Sequence, residues 1–97
     1  MVDFEKIIGF DWDEGNIDKN DIKHGVTSKE AEAVFKSEPF VVPGNTISSE
    51  KRFLALGHTD TGRLLSVIFT IRDKKIRVIS ARPQSQKERK FYNGKFK

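Results

Sequence analysis

The sequence predicts an α+β fold, with two N-terminal helices packed on a mainly antiparallel sheet and a further helix closing the chain. Three observations lead there. Residues 28–37 (SKEAEAVFKS) place apolar side chains at helical spacing. Residues 52–82 hold three β-prone runs joined by short polar turns. The helical patterns precede the strands instead of alternating with them, which is the α+β order. The 97 residues suit one domain, 1–97, with a small core.

Taken in order, Ile7 to Trp12 (IIGFDW) is a short β-prone run. Asp11 and Asp13 can cap a helix, because a short carboxylate accepts hydrogen bonds from the orphan N–H groups of a first turn. A helix follows from about Glu14 to His24, ended by Gly25 in a left-handed cap. Thr27 or Ser28 starts a second helix whose apolar face is Ala31, Val34 and Phe35, and Pro39 ends it. Phe40 to Val42 is a brief extended piece stopped by Pro43-Gly44, followed by the polar stretch NTISSEK. Strands are expected over 52–58, 64–72 and 75–82, with turns at 59–63 and at Asp73-Lys74. Ser85 opens a terminal helix to Tyr92. The strand order is thus β-α-α-(β)-β-β-β before that helix.

Side chains alternate along a strand. Leu65, Val67, Phe69 and Ile71 form an apolar face that must meet the helices. By the same alternation Arg77 falls with Ile79 and Ala81, and Arg82 falls with Ile76, Val78 and Ser80. Arg52 shares a face with Leu54, Leu56 and His58. Each strand therefore carries an arginine among apolar residues, on a sheet whose second face is left partly open.

Net charge is +4. All six arginines lie in residues 51–97 with only three acidic residues, whereas residues 1–50 hold eleven acidic residues and no arginine. A one-sided basic field attracts polyanions. The chain has no cysteine, which removes disulfides, thiolate metal sites and a cysteine nucleophile. His24 and His58 stand far apart and share no ligand motif, so neither a metal site nor a cofactor is expected. The N-terminal stretch MVDFEKIIGFDWDEG is acidic and lacks an uninterrupted apolar run. No signal peptide or membrane span is expected, and the expected location is the cytoplasm.

Several segments in this order resemble one family. They are FDWDEGNIDKNDIKHGVTSKEAEAVF at 10–35, EKRFLALG at 50–57, GRLLSVIFTIR at 62–72, IRVISAR at 76–82 and KERKFY at 87–92. Over nearly its full length the chain resembles the BrnT toxins. That resemblance implies a RelE-like fold and an endoribonuclease that stops translation by cutting RNA, mRNA above all and on the ribosome or off it. It also implies a cognate BrnA-like ribbon-helix-helix antitoxin, with operator DNA reached only through that partner.

Metal-independent cleavage would use the RNA 2′-OH as nucleophile, cations for the charge that grows on phosphate, and a general acid and base. Arg77 and Arg82 from IRVISAR and Arg63 from GRLL are the candidates for phosphate. Glu50, His58 and Tyr92 are candidates for proton transfer. Arg52, Arg89, Lys90 and His24 are candidates for RNA contacts. Structural roles compete with these: His24 as a helix-end cap, Arg63 as a turn residue, Trp12 as core or partner interface. Glu50 can equally orient Arg52 or Arg77, and Arg72, beside a turn, reads as solvent-facing. A non-catalytic RNA- or protein-binding module, or a degenerate toxin kept as co-repressor, would also use an open basic face.

Overall fold

The computed structural model describes residues 3–17 and 23–95. After a 3-10 turn at Phe4–Lys6 come β1 (Gly9–Phe10), α1 (Ser28–Lys36), β2 (Phe40–Ile47), β3 (Glu50–His58), β4 (Leu64–Arg72), β5 (Lys75–Pro83) and α2 (Gln86–Lys95). The five strands form one sheet in the order β1-β5-β4-β3-β2. β1 runs parallel to β5 and the other neighbours are antiparallel. Of the helix expected over 14–24, residues 14–17 form a turn instead, and residues 18–22 lie outside the described residues. Lys23 and His24 are helical, and Gly25 follows with φ of +66°, the left-handed conformation that its lack of Cβ permits.

Thr27 caps α1 through a reciprocal box. Its Oγ1 accepts from the Glu30 amide while Glu30 accepts from the Thr27 amide. Ala31 and Val34 are buried against Ala55, Leu65, Val67 and Phe69, so α1 covers the sheet face foreseen from the odd-numbered residues of β4. Phe35 meets Phe69 edge-on at 5.0 Å, and Phe53 stacks on Phe69 at 5.4 Å. The approach of helix to sheet is close at Gly57, where a Cβ would lie 2.7 Å from Ser37 Oγ and 2.9 Å from Val34 Cγ1.

Two further features differ from expectation. β2 does not stop at Val42 but continues to Ile47 and turns through Ser48 and Ser49. As an edge strand it tolerates Pro43. The pairing slips between Pro43 and Thr46, where the Gly44 backbone passes the Arg52 carbonyl so closely that a Cβ would sit 3.0 Å from its oxygen. Both tight hairpins, Ser48-Ser49 and Asp73-Lys74, have positive φ at both central residues, which matches the strand twist.

The second correction is a bulge in β5. Ile68 pairs Ser80 but Phe69 pairs Val78, so Ile79 is an extra residue. Alternation resets there. Ile76, Val78 and Ala81 all enter the core, and Arg77, Ser80 and Arg82 all point to the other face. Simple alternation had put Arg77 and Arg82 on opposite faces.

Candidate functional site

The face away from α1 is divided. α2 crosses one end of it: Phe91 packs on Phe40 at 5.2 Å, Tyr92 is buried, and Leu56 beneath is closed off. The other end stays open, with Leu54 and Ile68 as floor. Here Arg52 and Arg82 line one groove of about 260 Å³, bounded by Pro43, Gly44 and Asn45. Arg77 lies on the same face. It pairs with Thr70 and Arg82 pairs with Ser66, so the two stand about 13 Å apart along the sheet.

Each guanidinium has a carboxylate partner. Arg82 holds Glu88 bidentately from the first turn of α2, at 2.6 and 2.9 Å. Those hydrogen bonds, helped by the Ser85 amide, hold the Glu88 carboxyl down to about 2. Arg77 donates to both oxygens of Asp13 at 2.9 and 3.2 Å and stands 3.6 Å from Asp11. Arg77 and the Gly15 amide hold Asp13 below the usual carboxylate range, and Asp13 in turn raises Arg77. Asp13 thus caps a turn where a helix start was expected, and it also anchors an arginine. Asn16 secures that loop, donating to the carbonyls of Asp11 and Val78 and accepting from the Asp13 amide.

Arg52 differs from these. Glu50 is claimed first by Arg72, at 2.7 and 3.1 Å, and stands 3.5 Å from Arg52 Nε. Arg72 and then Arg52 hold Glu50 below its ordinary value. Two guanidinium groups share one carboxylate, so this cluster keeps one net positive charge, while Arg82–Glu88 is neutral and Arg77 with Asp11 and Asp13 is net negative. Arg52 Nε is also buried with no hydrogen-bond partner among the described residues. Its nearest acceptor is that Glu50 oxygen at 3.5 Å, an ion pair too long for a full hydrogen bond. Glu50 therefore orients Arg52 and Arg72, not Arg77, and Arg72 is an ion-pair partner, not merely solvent-facing.

Arg63 does not join the others. It donates to the Gly25 carbonyl at 2.7 Å and to Glu30 at 3.1 and 3.2 Å, clamping the start of α1 on the opposite side of the sheet. Of the three phosphate candidates Arg63, Arg77 and Arg82, only the last two share a face. His58 is exposed at the end of β3, on the Arg52 face. Its Nδ1 donates to the Thr59 carbonyl at 2.9 Å. A carbonyl only accepts, so the neutral ring carries its proton on Nδ1 and leaves the Nε2 lone pair free. Tyr92 is 6% exposed, and burial raises its hydroxyl pKa, so it packs α2 instead of lining the groove. Arg89 and Lys90 are exposed on α2, and His24 is half-buried beside Gly25. Trp12 packs on Phe10 and donates to Glu32 at 2.7 Å. Among the described residues no group of three or more His, Cys, Asp or Glu side chains gathers as a metal site.

A helix-backed antiparallel sheet that turns arginines to its open side defines a class of small α+β proteins suited to meeting a polyanion. Residues 12–88 match the family described as the ribonuclease toxin, BrnT, of type II toxin-antitoxin systems, and the chain belongs to that family. It is similar to the crystal structure of the Brucella abortus ribonuclease toxin BrnT, with a TM-score of 0.65 and 28% identity over 81% of this chain and 99% of that one. No curated protein matches the chain.

Proposed function

We propose that this chain is the toxin of a type II pair and cuts cytoplasmic RNA without a metal ion, the 2′-OH attacking the adjacent phosphodiester. The observation that carries the reading is that Arg52 and Arg82 line one groove on the open sheet face of a chain in a ribonuclease-toxin family. A phosphate seated there would meet the free terminal nitrogens of Arg52 and the unengaged N–H groups of Arg82. Preorganised donors of this kind stabilise the charge of a phosphorane-like transition state. Arg77 shares the face, but with Asp11 and Asp13 beside it that end of the sheet is net negative and adds no attraction for phosphate.

His58 stands six residues from Arg52 along β3, about 20 Å away and past the stretch that α2 covers, so it is out of reach of a 2′-OH seated at this groove. Glu50, kept ionised by two arginines, is a weak base and serves to aim Arg52. Arg89 and Lys90 lie along α2 where the strand would leave the groove. A BrnA-like ribbon-helix-helix antitoxin neutralises the toxin and carries the complex to operator DNA, and the RelE-like kinship of the fold belongs to the same reading.

The test is expression of the chain alone in a bacterium. Growth arrest with RNA degradation is expected, and Arg52→Ala with Arg82→Ala should abolish both. Arrest that survives the double substitution would remove the catalytic assignment. The ion pairing of Arg77 and Arg82 favours one second reading, a non-catalytic RNA-binding module, in which purified protein binds RNA stoichiometrically and leaves it intact.

A further inference from the structure

A second, larger groove of about 760 Å³ opens on the helix side of the sheet, back to back with the groove already described across Pro43, Gly44 and Arg52. Its floor is apolar, with Ile7, Phe53 and Ile71 partly buried against the core. Its rim carries Lys6, Lys51, Lys74 and Arg52 against the single carboxylate of Asp3. The three lysines are exposed. One face of the Phe53 ring is stacked on Phe69. Apolar floor and cationic rim together fit one chemistry, an amphipathic protein segment with apolar side chains on one side and carboxylates on the other.

Arg52 lines both grooves. It sits at the β2 bulge, where the Pro43-Gly44 backbone forms the wall between them. From the basic-rimmed apolar groove and this shared arginine we infer that an acidic amphipathic segment of a protein partner docks here and draws Arg52 away from the RNA face. The inference rests on the toxin reading for what Arg52 does on that face. The docking itself does not depend on it. Inhibition would then need no plug in the cleavage groove, because one carboxylate competing for one guanidinium lowers phosphate affinity on the far side.

The experiment uses a synthetic amphipathic peptide, leucine on one helical face and glutamate on the other, with fluorescence binding to the full chain. Wild type should bind it. Lys51→Glu with Lys74→Glu should weaken it about tenfold, the scale of two exposed ion pairs reversed. Lys29→Glu with Lys36→Glu, the same charge change on α1, should bind as wild type. Saturating peptide should also weaken binding of a non-cleavable single-stranded RNA to wild type. Equal peptide affinity in both double variants would overturn the docking site. A loss of RNA affinity, with no peptide binding to wild type, would make the groove an RNA site and overturn it too. Undisturbed RNA binding under saturating peptide would overturn the Arg52 coupling. Failure of the toxin reading shows separately, as wild type that leaves RNA intact.

Discussion

Glu88→Gln should weaken the fold and strengthen RNA binding at once. In the folded chain the Glu88 carboxyl is held at about 2 against an ordinary 4.5, chiefly by its two hydrogen bonds from Arg82. Taken whole, that difference corresponds to about 3 kcal/mol. Arg82 is 35% exposed, and solvent screening reduces the figure to about 1–2 kcal/mol. The folded pKa lies below the unfolded one, so the contribution is complete above about pH 5 and fades as pH falls toward 2. Urea unfolding at pH 7 should therefore show the variant less stable by about 1–2 kcal/mol, and the gap should shrink below about half at pH 3. On the RNA side, removing the carboxylate leaves Arg82 with its full charge in the groove. Affinity for a non-cleavable RNA should rise about threefold or more at low salt, with a steeper salt dependence. A gap that stays constant between pH 7 and pH 3, or an RNA affinity that falls with stability, would refute the reasoning.

Three further outcomes follow from the packing. Gly57→Ala should destabilise by about 1–3 kcal/mol in thermal or urea unfolding, because its Cβ would lie 2.7 Å from Ser37 Oγ and 3.2 Å from the Val34 carbonyl. An unmoved midpoint would contradict the close seat of α1 on β3. Asn16→Ala removes three hydrogen bonds, two within the loop after β1 and one to the Val78 carbonyl of β5, which should cost about 2–3 kcal/mol and speed amide exchange at Asp11 and Asp13. Arg63→Ala should lower stability by about 1 kcal/mol through loss of the Glu30 and Gly25 contacts while leaving RNA cleavage within about threefold of wild type. A collapse of cleavage in folded protein would put Arg63 back in the site.

Local pattern carried most of the architecture. The run LLSVIFTIR shows its apolar face by alternation alone, SKEAEAVFK shows its helix by the spacing of its apolar residues, and Asp73-Lys74 marks a hairpin. What escaped was set by packing at a distance. Pro43-Gly44 reads as a strand end, yet β3 holds that segment in an edge strand through a slipped register. The extra residue Ile79 leaves no local mark, and it alone decides that Arg77 and Arg82 share a face. Ion-pair partners were equally hidden, since Asp13 and Arg77 lie 64 positions apart. Two acids after a β-prone run and a mid-strand arginine were the only signals available. Arg63 shows the converse: its motif is legible, but Glu30 and Gly25 turn it to the other side of the sheet.

The central claim is that guanidinium groups on the open sheet face serve cleavage by the RNA 2′-OH. The most direct measurement is the end chemistry of RNA cut by purified protein in excess chelator. The account predicts that cleavage continues, leaves 2′,3′-cyclic phosphate or 3′-phosphate and 5′-hydroxyl ends, and disappears in the Arg52→Ala, Arg82→Ala protein. Products with 5′-phosphate ends, or activity lost to the chelator and restored by a divalent cation, would contradict it.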